Sequence, residues 1–345
     1  MAYSRYIILS SALLSLSLAL TGCEQIGSNT AAAAESGFKF SMIKLADSAF
    51  TPRSGNSLVA FHDRLFSIGG AENEGSFNLK AFYGIYSSRD GRVWDSVEGT
   101  APMGRIKGAV SLVFHDKIWI FGGENSAEIW NSDDGLAWQR KVERADWGMR
   151  SYFTVTEFKD SLWLMGGVVP EPRTPELWYR DVWKSGDGIT WSEVATTMTP
   201  SGTVFWPRAY HSSVVFQDRM YLMLGIPRYP ADMVSSTNGT DWTAYAPAFD
   251  FQNRSGQNAF VKDGSMFLMS GDNFVSGRKP ANVFDGDILA SRDGAIWSRT
   301  RLDAAFPGRM NFGLAVFNGD VIVAGGQDTT RLFSDVWALH IEKTH

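Results

Sequence analysis

Five arginines stand sixteen residues ahead of a repeated turn. Arg53, Arg150, Arg208, Arg254 and Arg309 precede Gly69, Gly166, Leu224, Ser270 and Gly325 by that interval. A sixth copy has Ile106 in the same place, flanked by Arg105 and Lys107. A guanidinium is a planar fork of donors that matches carboxylates, phosphates and sulfates. Cations repeated in register around one opening would gather such anions, even on a chain of net charge −5. Two or three places after the arginines come Tyr152, Tyr210, His211, Gln257 and Asn311. His211 suits general-base chemistry, but a lone histidine in such a place is more often a hydrogen-bonded wall residue. Between the repeats lie the carboxylates Glu171, Glu176 and Asp272, available for acid–base work, and the aromatics Trp178, Tyr179 and Phe274. Those aromatics would either stack on a sugar or seal the base of their loops.

A second signature carries an acid: SRDGRVW (88–94), SDDGLAW (132–138), SGDGITW (185–191), STNGTDW (236–242) and SRDGAIW (291–297). A catalytic carboxylate is needed once, not five times. Asp90, Asp134, Asp187, Asn238 and Asp293 are therefore read as structural. Their side chains accept backbone N–H groups across a turn whose glycine takes a conformation other residues resist.

These residues need a scaffold that repeats with them. Ahead of each signature turn runs an apolar segment ending near glycine: LFSIGG (65–70), IWIFGG (118–123), LWLMGG (162–167), MYLMLG (220–225) and MFLMSG (266–271), with VIVAGG (321–326) in a sixth copy. A shorter apolar segment and a polar turn precede each one, and a third strand such as DVW (181–183, 335–337) or DIL (287–289) follows. Four short strands at a period of roughly 50 residues mark a β-propeller blade. The high aromatic content and 34 glycines fit strands and turns better than helices. The expected fold is all-β: six four-stranded antiparallel blades. The sixth copy stops at His345 after three strands, so residues 39–45 are expected to supply its outer strand and close the ring.

Alternating strand direction sorts the connections. The strand one–two turns and the signature turns share one face. The long irregular connections 71–83, 168–180, 226–231 and 272–285 share the other with the arginine register, and binding is expected on that loop face.

The Gly-Gly pairs at 69–70, 122–123, 166–167 and 325–326, the aromatic inside strand two and the downstream tryptophan resemble the kelch-repeat family. The resemblance covers residues 38–345 and extends to the central domain of galactose oxidase. Leu224-Gly225 and Ser270-Gly271 depart from the pair, and the signature turn resembles a shortened sialidase Asp-box. Kelch-type copper oxidases use a cysteine–tyrosine crosslink and histidine ligands. Here the single cysteine is Cys23, and His62, His115, His211, His340 and His345 lack ligand spacing, so no metal or cofactor is expected.

Residues 1–22 read as a signal peptide, with Arg5 ahead of an apolar stretch from Tyr6 to Leu20. Leu20-Thr21-Gly22-Cys23 resembles the lipobox of bacterial lipoproteins, which implies cleavage before Cys23 and lipid on it. Residues 23–37 form the anchor and a small, polar tether. The expected location is the cell envelope, anchored at the outer membrane and facing the periplasm. With no basic run, nothing points to nucleic acid. The expected function is a monomeric binding module whose loop face takes a glycan, an acidic small molecule or a partner protein. The alternative is an enzyme on an acidic sugar, resembling a sialic-acid mutarotase or a sialidase.

Overall fold

Short runs rich in β-branched and aromatic residues, punctuated by turns, give strands only, with no helix among the described residues. The computed structural model describes residues 37–73, 79–81, 84–97, 106–124, 126–169, 177–199, 207–226, 233–245, 251, 254–272, 286–303 and 305–344. Within them lie six four-stranded antiparallel blades. Blade one runs 57–61, 64–68, 85–88 and 95–96; blade two 110–114, 117–121, 129–132 and 139–142; blade three 154–157, 162–165, 182–185 and 192–193. Blade four runs 212–216, 219–223, 233–236 and 241–245; blade five 258–262, 265–269, 287–291 and 298–301. Residues 197–199 add a parallel fifth strand at the outer edge of blade four.

Blade six runs 313–317, 320–324 and 336–343, and Phe38–Ala46 completes it from the N-terminal side. That outer strand is antiparallel, from Phe38 opposite Lys343 to Ala46 opposite Val336. The expected closure is the observed one. It leaves Gly37 on the face of the signature turns, where the Thr344 N–H donates to its carbonyl.

Strand two of every blade is buried on both sides, as in Leu162–Met165 and Met266–Met269, so it reads as an uninterrupted apolar run. Blades pack face to face, and the signature turn helps to set their spacing. In blade five Asp293 Oδ1 accepts from the N–H groups of Ala295 and Ile296, at 2.7 and 2.8 Å. Ser291 Oγ accepts from Gly294 N, and Trp297 Nε1 donates to the Gly294 carbonyl. The same bonds recur at Asp90, Asp134, Asp187 and Asn238. These backbone N–H donors hold the Asp90, Asp134 and Asp293 carboxyls below the usual range. The turn glycine is doubly required. At Gly239 φ is +81°, and an added Cβ would stand 2.2 Å from the Trp163 ring of the neighbouring blade.

Candidate functional site: the axial mouth on the loop face

Two rings of hydrogen bonds tie the blades together at the loop-face end of the inner strands. In the first, each blade offers the residue two places after the arginine register. Gly55 donates to Asn311, Gly108 to Gly55, Tyr152 to Gly108, Tyr210 to Tyr152, Gly256 to Tyr210 and Asn311 to Gly256, N–H to carbonyl, at 2.7–2.9 Å. This annulus closes on itself. All six residues are left-handed, with φ between +52° and +69°. The second ring runs the other way. The N–H groups of Gly70, Gly123, Gly167, Gly225, Gly271 and Gly326 donate to the carbonyls of Ile106, Arg150, Arg208, Arg254, Arg309 and Arg53 of the next blade.

The second ring explains the arginine register. Each arginine's main chain is tied to the preceding blade, and the side chains of four of them to their own. Nη1 of Arg53, Arg150, Arg254 and Arg309 donates to the carbonyl sixteen residues on, at 2.9–3.2 Å. Three of them also clamp the aspartate that opens strand three: Arg150 to Asp181, Arg254 to Asp287 and Arg309 to Asp335, each through two bonds. Trp183 and Trp337 donate to the carboxylates of Asp181 and Asp335. Arg53 instead lies over the rings of Phe50 and Tyr86. All five arginines, Arg208 included, are at most 2% exposed. The expected ring of cations at the channel mouth is therefore corrected. A guanidinium with a carboxylate and a carbonyl at hydrogen-bond distance is satisfied inside the blade, and Ile106 fills the sixth place as an apolar residue. The sequence did carry the clue, in the aspartate that begins both DVW segments and DIL.

The inner strands line an axial cavity of about 240 Å³, formed by the same four positions of all six blades. Its mouth is unequal. Tyr152 and Tyr210 stack at 4.0 Å between ring centroids, 21° from parallel. Tyr152 lies across the space that Gly108 and Gly55 leave open: a Cβ on Gly108 would meet its ring at 3.1 Å, and one on Gly55 its hydroxyl at 3.4 Å. Asn311 lies over Gly256 in the same way. Burial, with Tyr210 and Glu124 nearby, holds the Tyr152 hydroxyl well above the ordinary tyrosine range, so it remains a donor at neutral pH. Lys107 and Glu124 stand half-buried beside the pair. Burial lowers the Lys107 ammonium's pKa and the Glu124 carboxylate opposes that shift.

The Kelch motif family matches residues 308–344, the sixth blade and its approach. The chain is a six-bladed β-propeller whose sixth blade matches the Kelch motif. It is similar to the solved structure of YjhT, with a TM-score of 0.66 over 86% of this chain and 99% of that one. At 13% sequence identity that likeness speaks to the fold alone. No curated protein matches the chain.

Within the propeller the remaining expected site residues separate. Tyr152 and Tyr210 line the mouth together, and Lys107 stands next to them. His211 lines the cavity but is 6% exposed and wedged between blades, with Nε2 at 3.1 Å from Thr154 Oγ1. Burial first, and the Arg208 charge second, push its pKa down to about 3. It is a neutral wall residue, in the register that Asn56, Phe153, Gln257 and Phe312 fill in other blades. Tyr179 seals its loop: its hydroxyl bonds to the Met149 carbonyl and its ring lies 3.7 Å from the Arg150 guanidinium. Trp178 pairs with Val168 in a two-stranded ribbon. Arg105, Glu171, Glu176, Phe274 and Cys23 lie outside the described residues. Among the described residues no group of three or more metal-ligating side chains comes together, and no helix is long and apolar enough to cross a membrane. Glu124, which the sequence reading did not single out, carries a signal only in hindsight: it is the first carboxylate after a Gly-Gly pair.

Proposed function

We propose that this propeller is a lipid-anchored envelope protein that binds a hydroxyl-rich ligand, a glycan or small acidic sugar, at the axial mouth of its loop face. One observation carries the reading. Tyr152 and Tyr210 hold a left-handed backbone that three of the six equivalent positions fill with glycine. A bulky residue there costs about 1–2 kcal/mol, and such strain is kept where a side chain is needed. What these two side chains form is a stacked aromatic pair across a polar cavity. Aromatic rings with hydroxyl tips take the C–H face of a pyranose and bond to its rim. The buried arginines contribute rigidity to this site, and Lys107 is the cation placed to meet a carboxylate.

A second reading, a mutarotase or epimerase acting on an acidic sugar, draws on Glu124. This carboxylate stands beside Lys107 and Tyr152, the kind of acid–base set that sugar-ring opening requires. A panel of neutral and acidic sugars, tested by calorimetry and by NMR of anomeric exchange, separates the two. Binding without accelerated exchange fits the module. Exchange that Glu124→Gln abolishes fits the enzyme, and a chain that takes no sugar of either kind contradicts both.

A further inference from the structure

The face opposite the mouth carries its own pattern. Val93, Leu136, Ile189 and Ile296 are 65%, 44%, 39% and 70% exposed. All four occupy the two positions between glycine and tryptophan of the signature turn, in four different blades. The fold does not require apolar residues there, since blade four has Thr240 and Asp241. Nor is the turn loosely held. The backbone N–H groups of Val93, Leu136, Ile189 and Ile296 bond to Asp90, Asp134, Asp187 and Asp293 at 2.7–3.1 Å, so the main chain that carries each exposed aliphatic group is fixed. Val261 and Val316, 36% and 43% exposed, lie at the same end of inner strands. Arg89, Arg92 and Arg292 are exposed on the same turns. The acids of the neighbouring inner turns are partnered: Asp63 with Arg89, Asp116 with His62, Asp160 with His115 and Asp218 with Lys159.

The chain also enters the propeller on this face. Gly37 receives bonds from Thr344 and from Arg292 of the blade-five turn. Thirteen residues separate Gly37 from Cys23, fourteen steps that span at most about 50 Å when fully extended.

We propose that the turn face is a membrane-docking surface. Its outward aliphatic residues seat at the boundary between headgroups and acyl chains, and Arg92 reaches anionic headgroups. The proposal rests on the anchored reading of Cys23 and adds an orientation: the sugar-binding mouth points away from the bilayer. A lipid surface fits better than a protein partner because the aliphatic groups are spread one to a blade around the rim, not gathered into one anchor pocket.

The test uses the full lipidated chain in vesicles of phosphatidylethanolamine with phosphatidylglycerol. Single cysteines are placed by Ile189→Cys, Ile296→Cys or, on the loop face, Leu177→Cys, and labelled with an environment-sensitive dye. Lipidation occupies Cys23, so the introduced thiol alone reacts. The expected result is quenching by lipids with a spin label near the headgroup at 189 and 296 but not at 177, and its loss in an Ile189→Cys chain that also carries Ile296→Glu. Retention in the membrane fraction with equal exposure of all three labels to an aqueous quencher would overturn docking while leaving the anchor intact. Labels at 189 and 296 shielded from water yet untouched by the lipid quencher would assign the rim to a protein partner instead. A chain absent from the membrane fraction would overturn both readings.

Discussion

Arg254 shows at the scale of one residue how a motif suited to ligand binding can serve the scaffold. Its guanidinium is enclosed with Asp287 at 2.6 Å, and Arg299 approaches the same carboxylate at 3.3 Å. Arg254→Ala would leave the buried Asp287 carboxylate with Arg299 alone, at a cost of about 3 kcal/mol, the low end for breaking a buried pair. Chemical denaturation should show that loss. His211 makes a pH-dependent prediction. Its folded pKa is about 3, while an unfolded histidine titrates near roughly 6.5, so the unfolded chain takes up a proton that the folded chain refuses. Stability is therefore unaffected by His211 above neutral pH and falls as pH drops below about 6.5, on the order of 1 kcal/mol per unit. Blade five already holds glutamine in this register: Gln257 donates to the Met223 carbonyl at 3.1 Å. His211→Gln should therefore be accommodated and should flatten the slope between about pH 6.5 and 4.5. Urea titrations across this range check it, and an unchanged slope would contradict the buried neutral imidazole.

The element scale is where the sequence was most legible. Apolar runs ending in glycine are strand two, the signature is the strand three–four turn, and the missing outer strand of blade six is found in Phe38–Ala46. These follow from local rules, uninterrupted apolar runs and turn chemistry, that a linear chain displays. Asp293→Ala removes the acceptor for two turn N–H groups and should cost roughly 1–2 kcal/mol. The loop-face cavity belongs to the other face of the blade, so sugar affinity should stay at the wild-type value. Loss of affinity at an unchanged melting temperature would return the motif to the functional site. What local rules could not supply was the direction of side chains at the mouth. Arg150 and Tyr152 are two residues apart in one segment. One turns inward to Asp181 and the other out over Gly108, because the left-handed residue at 152 redirects the chain. Leu224 and Ser270 are similar cases. They break the glycine pattern, yet hold φ of +62° and +55° at the same step as Gly69 and Gly325, so the conformation belongs to the ring and outlasts the residue type that favours it.

For the whole molecule, closure is the organising fact. Twelve main-chain hydrogen bonds, six in each direction around the axis, fix the blades to one another at the loop face. This lets an axial mouth be built from residues contributed singly by different blades. The annulus holds glycine at three of its six places and carries tyrosine at two adjacent ones. If those tyrosines are kept for a ligand, removing one should separate stability from function. Tyr210→Gly keeps the annulus bond, relieves the left-handed strain and removes half of the stacked pair. The central measurement is a thermal melt of this variant paired with a calorimetric titration of the best-binding sugar. The predicted result is a melting temperature equal to or above that of the unchanged protein, with affinity reduced at least about tenfold, the equivalent of roughly 1.4 kcal/mol. A lowered melting temperature with affinity intact would make the tyrosines part of the scaffold and move the binding site elsewhere.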